Sequence, residues 1–346
     1  MKKIVHITND LQRLGGVQRL LVDLMTLQKD DFEFEVILTR GENEYVDELN
    51  QLGVSVYHKR DIGLRGVIKR MNAADLVHAH LFPSLYIALL TSTPVVNTEH
   101  NPHYRRRDIL FVKTMESILY RKYAKIACIS EGVQTDFLAH IKVDPSVTEV
   151  IHNGINLSRF PQIAKPYPGN QTKFKLGMVG RFAAQKDFKT LIDLMALLDD
   201  SFELHIAGDG ELRAEFEQYS KAIKVDYRII FHGQVNDVPS FLGSLDIYIQ
   251  SSFWEGFGIA VVEAMAAGVP CFATNVSGLN NVIDSPYLFE VGDAETLAKK
   301  VQDLKASPEI YQAASAYVVK QAIKFSISTS ADKYTRIYNS CINITQ

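Results

Sequence analysis

The sequence predicts an α/β protein built of two doubly wound, Rossmann-like domains, and three observations lead to this prediction. The chain has 346 residues, more than one hydrophobic core usually organises. Short β-branched runs alternate with longer segments of helical periodicity, as in a parallel sheet covered by helices. The alternation breaks once, over 161–171, where prolines, a glycine and an asparagine crowd together, and then resumes.

The first domain, 1–160, is expected to contain strands at 4–7, 34–38, 54–57, 76–78, 95–98, 125–129 and 147–151. After a linker over 161–171, the second domain, 172–325, is expected to contain strands at 174–179, 202–206, 228–231, 247–250, 270–273 and 287–289. A closing helix over about 326–346 is expected to pack back on the first domain. Two such domains in tandem predict a ligand site in the cleft between them.

Composition and charge describe a globular protein with no general attraction to nucleic acid. Apolar residues make up 47% of the chain and charged residues 22%, and the formal net charge is -3. One stretch departs from this balance, because 59–125 holds twelve Lys or Arg against five Asp or Glu. Such a run is either a functional basic surface or the solvated faces of helices, and the sequence favours neither.

Three widely spaced cysteines, Cys128, Cys271 and Cys341, form no motif typical of a disulfide framework or a structural zinc site. The apolar runs are shorter than the roughly 20 residues that a membrane-spanning helix needs. The first apolar run, 4–7, follows two lysines but is too short for a signal peptide. We therefore expect a cytoplasmic protein.

The most informative motif lies at 251–270, where a strand leads into Glu255, Gly256, Phe257 and Gly258 and then into a helix that carries Glu263. Glycines let the backbone approach a ligand, and the free N–H groups of a helix start attract phosphate. Two carboxylates two helical turns apart can accept hydrogen bonds from sugar hydroxyls. A plain turn with solvated glutamates is the alternative.

A second motif, at 176–188, delivers two cations from the end of a buried strand. The strand ends at Gly180, Arg181 follows, and Lys186 comes five residues later. Two positioned cations can stabilise a diphosphate leaving group without a metal ion. Each alone would be an ordinary surface base.

Two further motifs lie in the first domain. Gly15 and Gly16 follow the first strand and open a helix, but they do not form the G-x-G-x-x-G fingerprint of dinucleotide cofactors. Glu99 and His100 end another strand, where the imidazole would be either a general base or a packed side chain.

Taken together, these motifs resemble those of the retaining GT-B glycosyltransferases of family 4, also called group 1. The resemblance implies that Glu255 contacts the donor sugar and Glu263 its ribose, while Arg181 and Lys186 hold the diphosphate. It also implies donor contacts from the backbone or side chains of further residues: Gly15, Gly16, Asn153, Gly180, Gly233, Gly256, Phe257 and Gly258. His100 would position the sugar and acceptor, and His80 would lie on the acceptor side.

A basic and apolar segment follows His100. Arg105, Arg106 and Arg107 precede the apolar run 109–112, and such segments associate with anionic lipid, each base contributing roughly 1 kcal/mol. We expect contact with the inner face of the cytoplasmic membrane and a lipid-linked oligosaccharide acceptor of bacterial surface polysaccharide synthesis.

The expected reaction is metal-independent transfer of a hexose from a nucleoside diphosphate sugar, most simply a UDP-sugar, with retained configuration. The donor is a co-substrate, and no metal or other cofactor is expected. A nucleotide-sugar epimerase of the same fold and a non-catalytic nucleotide-sugar-binding subunit remain as alternatives. An NAD-dependent oxidoreductase is disfavoured because the glycine fingerprint is missing.

Overall fold

The computed structural model describes residues 1–13, 16–102, 104–169 and 171–343, which form two compact units. The first unit comprises Met1–Gly154 and Ile327–Gln346, and the second comprises Ile155–Ser326. Each unit contains one parallel sheet, and every strand predicted from the sequence is present, with ends that differ by at most two residues. The predicted α/β fold class with two Rossmann-like units is therefore confirmed.

The sheet of the first unit has the order β3-β2-β1-β4-β5-β6-β7. Its strands are β1 (Lys2–Thr8), β2 (Phe32–Leu38), β3 (Ser55–His58), β4 (Leu76–His80), β5 (Val95–Glu99), β6 (Lys125–Cys128) and β7 (Thr148–Val150). Its helices are α1 (Gly16–Gln28), α2 (Val46–Gln51), α3 (Lys59–Asn72), α4 (Ser84–Ala88), α5 (Leu110–Leu119), α6 (Glu131–His140) and, at the end of the chain, α13 (Ile327–Asn343).

The sheet of the second unit has the order β10-β9-β8-β11-β12-β13. Its strands are β8 (Phe174–Val179), β9 (Phe202–Ala207), β10 (Ile229–Gly233), β11 (Ile247–Gln250), β12 (Cys271–Thr274) and β13 (Leu288–Phe289). Its helices are α7 (Phe188–Leu197), α8 (Arg213–Ala222), α9 (Val238–Ser244), α10 (Ile259–Ala266), α11 (Ala294–Ala306) and α12 (Pro308–Ala322).

The central strands are buried on both faces, which explains their nearly continuous apolar runs. In the first unit, Ile4 and Val36 join a core that α1 and α13 cover from one side. Gln28 of α1 donates a hydrogen bond to the carbonyl of Ala331 in α13 (3.0 Å). In the second unit, Leu176 and Leu204 pack beneath α7 and α11 in a separate core.

The segment 161–171 differs from the linker expected there. It contains no helix or strand in its described part, but it is fastened to the second unit. The N–H of Gln162 donates to the carbonyl of Ala266 (3.0 Å), and the Tyr167 hydroxyl donates to the carbonyl of Lys305 (2.6 Å). The chain passes between the units at 154–155 and again at 326–327.

Parallel strands end at the same edge of a sheet, and that edge is where α/β proteins hold their ligands. The edge of the second unit carries the loops that follow β8 and β11. The edge of the first unit carries the ends of β1, β4 and β5. Of the helices in the described part of the chain, none combines the length and the apolar character needed to span a bilayer.

Candidate functional site

In the second unit, two loops pair at the carboxyl end of the sheet. Lys186, in the loop after β8, forms an antiparallel bridge with Ser252, in the loop after β11. The N–H of Phe253 donates to the carbonyl of Gln185 (2.9 Å). The sequence predicted both loops as site segments but not this pairing, which joins residues more than sixty positions apart.

The carboxylate of Glu255 lies at the centre of these loops and is only 7% exposed. It forms an ion pair with Lys186 and accepts hydrogen bonds from the Ser252 hydroxyl (3.0 Å) and the Gln185 amide (3.1 Å). The Gln250 amide lies 3.4 Å from the same carboxylate. These contacts fix the side chain and balance its charge with that of Lys186.

Arg181 has a different environment. Its side chain is exposed and has no ion pair or side-chain hydrogen bond with any described residue. Since Lys186 is neutralised by Glu255, Arg181 is the member of the expected cation pair whose charge is available to an anionic ligand.

Glycines form the ends of three neighbouring strands beside these loops. The N–H of Gly208 donates to the carbonyl of Gly233 (2.7 Å), and a Cβ at Gly208 would lie 1.9 Å from the carbonyl oxygen of Gly180. Gly233 has φ +68, and the guanidinium of Arg213 lies 3.3 Å from where its Cβ would be. Glycine at 208 therefore lets these strand ends lie close together, and the three glycines are half-buried.

The turn before α10 depends on Gly258, which adopts the left-handed conformation with φ 89 and caps the helix. A Cβ there would lie 2.4 Å from Leu279. Gly256 and Phe257 are buried, and the Phe257 ring contacts Phe325 with its centroid 5.4 Å away. Any donor contact by Phe257 must therefore come from its backbone. Glu263 is half-buried in α10.

In the first unit, buried histidines line the sheet. His6, His80 and His100 are joined side by side, with ring nitrogens 3.2 Å apart between the first two and 3.3 Å apart between the last two. His78 instead bonds the hydroxyls of Tyr338 (2.7 Å) and Thr98 (2.8 Å). His6 was not among the residues predicted from the sequence, although the alternation of side chains along β1 places it on the same face as these neighbours.

Burial lowers the pKa of His6 and of His100 to about 3 and lowers that of His80 well below its ordinary value. All three are neutral near pH 7. One nitrogen of each of His6, His78 and His80 lies within 4.8 Å of the others, a spacing that a metal ion also accepts. His78 would have to give up a hydroxyl partner to become a ligand.

The prediction that Arg106 and Arg107 form an exposed basic surface is wrong. Arg107 is 2% exposed, and its guanidinium donates to Glu116 (2.7 Å) and Glu99 (3.1 Å) and to the Tyr120 hydroxyl (2.9 Å). Arg106 donates to the other oxygen of Glu116 (2.7 Å). A 3-10 turn and α5 bring Glu116 back over the arginines, so two cations face two carboxylates.

This network also settles the environment of Glu99. Burial alone would favour the neutral acid of Glu116, but hydrogen bonds from Arg107 and Tyr86 lower the pKa of that carboxyl group. Glu99 also accepts from the Asn97 amide (2.8 Å). Adjacent residues at a strand end point to opposite faces, so Glu99 bonds Arg107 and not His100.

Other expected site residues are placed less completely. Gly15 lies outside the described residues, as does the side chain of Arg105. Gly16 begins α1. Asn153 is buried in the first unit, and its Oδ1 has no hydrogen-bond partner among the described residues.

Two family models match the chain. Residues 160–321 match the model described as Glycosyl transferases group 1, and residues 14–159 match the model described as Glycosyltransferase Family 4.

Curated relatives align over most of the chain. One is the UDP-Gal:alpha-D-GlcNAc-diphosphoundecaprenol alpha-1,3-galactosyltransferase of Escherichia coli, 26% identical over 85% of this chain and 85% of its own length. Another is the GDP-mannose:cellobiosyl-diphosphopolyprenol alpha-mannosyltransferase of Komagataeibacter xylinus, 26% identical over 80% of this chain and 74% of its own length.

A solved structure of Anabaena Alr3699/HepE in complex with UDP and glucose superimposes with a TM-score of 0.86 at 19% identity, covering 98% of this chain and 100% of that one. The crystal structure of TarM superimposes with a TM-score of 0.83 at 13% identity, covering 98% and 99%. These likenesses confirm the predicted GT-B fold.

Proposed function

Since this chain belongs to the group 1, family 4 glycosyltransferases, we propose that it transfers a hexose from a UDP-sugar to a hydroxyl of a lipid-linked glycan, with retained configuration. The two curated relatives act on diphosphoundecaprenol and diphosphopolyprenol acceptors, which supports the acceptor class. The neighbour with bound UDP and glucose supports the donor class. The pathway we propose is surface polysaccharide assembly.

The observation that carries this proposal is the charge arrangement in the second unit. Glu255 is held by Lys186, Ser252 and Gln185, while Arg181 stands exposed beside strand ends made of glycine backbone. A diphosphate placed there would meet one unpaired cation and a second cation already fixed in orientation. Preorganised charge of this kind stabilises a leaving group more than mobile charge does.

In the proposed reaction, the bond between the anomeric carbon and the β-phosphate oxygen breaks, and its electron pair stays on the phosphate. Arg181 and Lys186 stabilise that charge without a metal ion. The acceptor oxygen bonds to the anomeric carbon on the same face, and its proton passes to a phosphate oxygen. Glu255 and Glu263 orient the sugar and the ribose through their hydroxyls.

The membrane-facing surface is proposed at α5 and not at the buried arginines. The α5 apolar patch consists of Ile109, Leu110, Phe111 and Ile118, which are 57%, 77%, 76% and 60% exposed. The exposed cations Arg121 and Lys122 follow it directly. An apolar helix face beside exposed cations fits an anionic lipid surface, where a lipid-linked acceptor resides.

The reaction is tested with purified protein, a panel of UDP- and GDP-sugars, and a short-chain diphosphopolyprenol glycan, with and without a chelator. We expect sugar transfer from a UDP-sugar at the same rate with and without the chelator. The Arg181→Ala variant should lose roughly 100-fold in kcat, whereas Lys221→Ala, an exposed cation on α8, should retain activity. Equal rates for Arg181→Ala and wild type would contradict the site, and donor turnover without an acceptor would indicate an epimerase.

The α5 apolar patch is tested by flotation with phosphatidylglycerol vesicles. A Leu110→Ser, Phe111→Ser double variant should remain in the soluble fraction while the wild type floats. Ile310→Ser is the matched control, since Ile310 is 52% exposed on α12. Wild-type protein that does not float would remove this part of the proposal.

A further inference from the structure

The three buried histidines of the first unit form a chain with a direction. Nδ1 of His6 faces Nε2 of His80, and Nδ1 of His80 faces Nε2 of His100. A neutral imidazole has one protonated and one unprotonated nitrogen, so each contact needs one donor and one acceptor. If one ring changes its tautomer, the other two must follow.

Only two arrangements of the protons satisfy both contacts. In the first, every Nδ1 is protonated, and the unpaired N–H lies on His100. In the second, every Nε2 is protonated, and the unpaired N–H lies on His6. Among the described residues, neither Nδ1 of His100 nor Nε2 of His6 has a hydrogen-bond partner, and both atoms are buried.

The two ends of the chain differ in what surrounds them. His6 is fully buried in β1, and its ring contacts Phe34 with centroids 5.5 Å apart. Its neighbour His78 has no free nitrogen to offer, because Tyr338 and Thr98 occupy both. A protonated Nε2 on His6 would therefore stay unpaired in the core, which is unfavourable because the N–H loses its hydrogen bond to water and gains none.

His100 lies just past β5, at the ligand edge of the sheet, and because its Nδ1 is covered, a bound molecule must displace part of that cover to supply an oxygen. When every Nδ1 is protonated, the unpaired N–H lies at this edge, where a ligand can accept from it, and not in the core. We propose that His6 and His80 hold His100 in the tautomer protonated on Nδ1, so that His100 donates a hydrogen bond to an oxygen of the bound substrate.

This assignment rests on the proposed function for the identity of the substrate and deepens it. A His100 whose Nδ1 already carries the proton cannot remove one from the acceptor hydroxyl through that atom, and its Nε2 is occupied by His80. The acceptor proton must then leave by another route, as it does in the phosphate-assisted reaction. His6 and His80 are positioning residues in this scheme.

The test reads the tautomer directly by nitrogen-15 NMR of histidine-labelled protein, with the His100 resonances identified by their loss in His100→Gln. We expect wild-type His100 to be protonated on Nδ1 and unprotonated on Nε2. The opposite pattern would overturn the proposal whether or not any variant folds. So would stoichiometric zinc retained on the histidines, because ligation would use the nitrogens assigned here to the hydrogen-bond chain.

Two substitutions at His80 test the cause. His80→Phe removes the donor to His100, which should then lose its preference for the Nδ1 proton. His80→Asn places an amide where Nδ1 of His80 lies and should restore that preference. In the transfer assay, kcat/KM for the acceptor should fall roughly tenfold in His80→Phe and recover in His80→Asn.

An unchanged His100 tautomer in His80→Phe would overturn the role of His80. If no sugar is transferred under any condition, the proposed function fails, but the NMR measurement still decides the tautomer. The two failures are therefore distinguishable.

Discussion

Two clusters of cations and carboxylates lie near sheet edges, one in each unit, and they behave as opposites. In the first unit, Arg106 and Arg107 face Glu99 and Glu116, and both carboxylates are about 1% exposed or less. In the second unit, Lys186 pairs with Glu255, and an exposed Arg181 remains without an ion-pair partner among the described residues. The first cluster uses its charges internally, whereas the second keeps one charge for a ligand.

The difference shows that a run of cations in a sequence does not reveal whether its charges are available. Burying a charge is tolerated only when hydrogen-bonded partners surround it. The consecutive arginines at 105–107 suggest a surface, yet Arg107 has three buried partners. Arg181 shows no such neighbours, and its sequence context alone marked it as a ligand-binding cation.

The largest expected effect is on stability in the first cluster. Arg107→Ala leaves Glu99 and Glu116 buried without their cation, so we expect the free energy of unfolding of the first unit to fall by about 3–5 kcal/mol. Urea titration followed by circular dichroism and hydrogen exchange of first-unit peptides measures this loss.

The control for Arg107→Ala is Arg336→Ala, an exposed arginine on α13 of the same unit, which should change the free energy by no more than about 0.5 kcal/mol. Fluorescence of the single tryptophan, Trp254, reports on the second unit and should show little change. A loss below about 1 kcal/mol for Arg107→Ala would mean that the buried network is not needed for stability.

A matched pair of carboxylate substitutions sharpens the comparison. Glu255→Gln should lower transfer roughly 100-fold, because the sugar contact and the orientation of Lys186 are lost. Loss of the ion pair with Lys186 should also lower the melting temperature of this variant. Adding UDP should raise it again, because without Glu255 the full charge of Lys186 attracts the diphosphate and ligand binding stabilises by mass action. Thermal shift with and without UDP measures this recovery.

Glu116→Gln is the counterpart in the first unit. Because its partners are internal arginines, we expect this variant to have a lower melting temperature than the wild type. UDP should raise the melting temperature of the variant by no more than it raises that of the wild type. If UDP rescued both variants equally, the distinction between an internal and a ligand-facing cluster would be lost.

The sequence predicted the strands well because their signal is local: runs rich in β-branched residues, such as 95–98, favour a strand from their own composition. Strand ends followed by glycines and charges form a compact pattern, which is why the sequence assigns Lys186, Glu255 and Arg181 to a site; their binding roles stay predictions.

The prediction that Arg107 is exposed was wrong, and the contact between His6 and the other histidines was not predicted. His6 meets His80 74 positions along the chain, and no local pattern encodes that contact. The partners of Arg107 are near in sequence, but only the fold of the turn and α5 brings the carboxylate of Glu116 back over its guanidinium.

The smallest expected effect concerns the histidines, which lie in the same unit as the arginine network but avoid burying charge by staying neutral. The pKa of His6 is about 3 in the folded protein and near 6.5 when the chain is unfolded, and burial is the cause. Between these values the unfolded chain binds a proton that the folded chain does not. Stability is therefore complete above about pH 6.5 and falls as the pH is lowered toward 3.

Each such histidine contributes a slope of about 1.4 kcal/mol per pH unit over that range. Replacing His6 by Phe removes one such histidine. Between pH 5.5 and 4, the free energy of unfolding should therefore fall less steeply with acid in His6→Phe than in wild type, and the two slopes should differ by about 1.4 kcal/mol per pH unit. Carboxylates titrate in both proteins and cancel in the difference. Equal slopes would mean that His6 takes up a proton in the folded state, which a hydrogen-bond chain of neutral imidazoles does not allow.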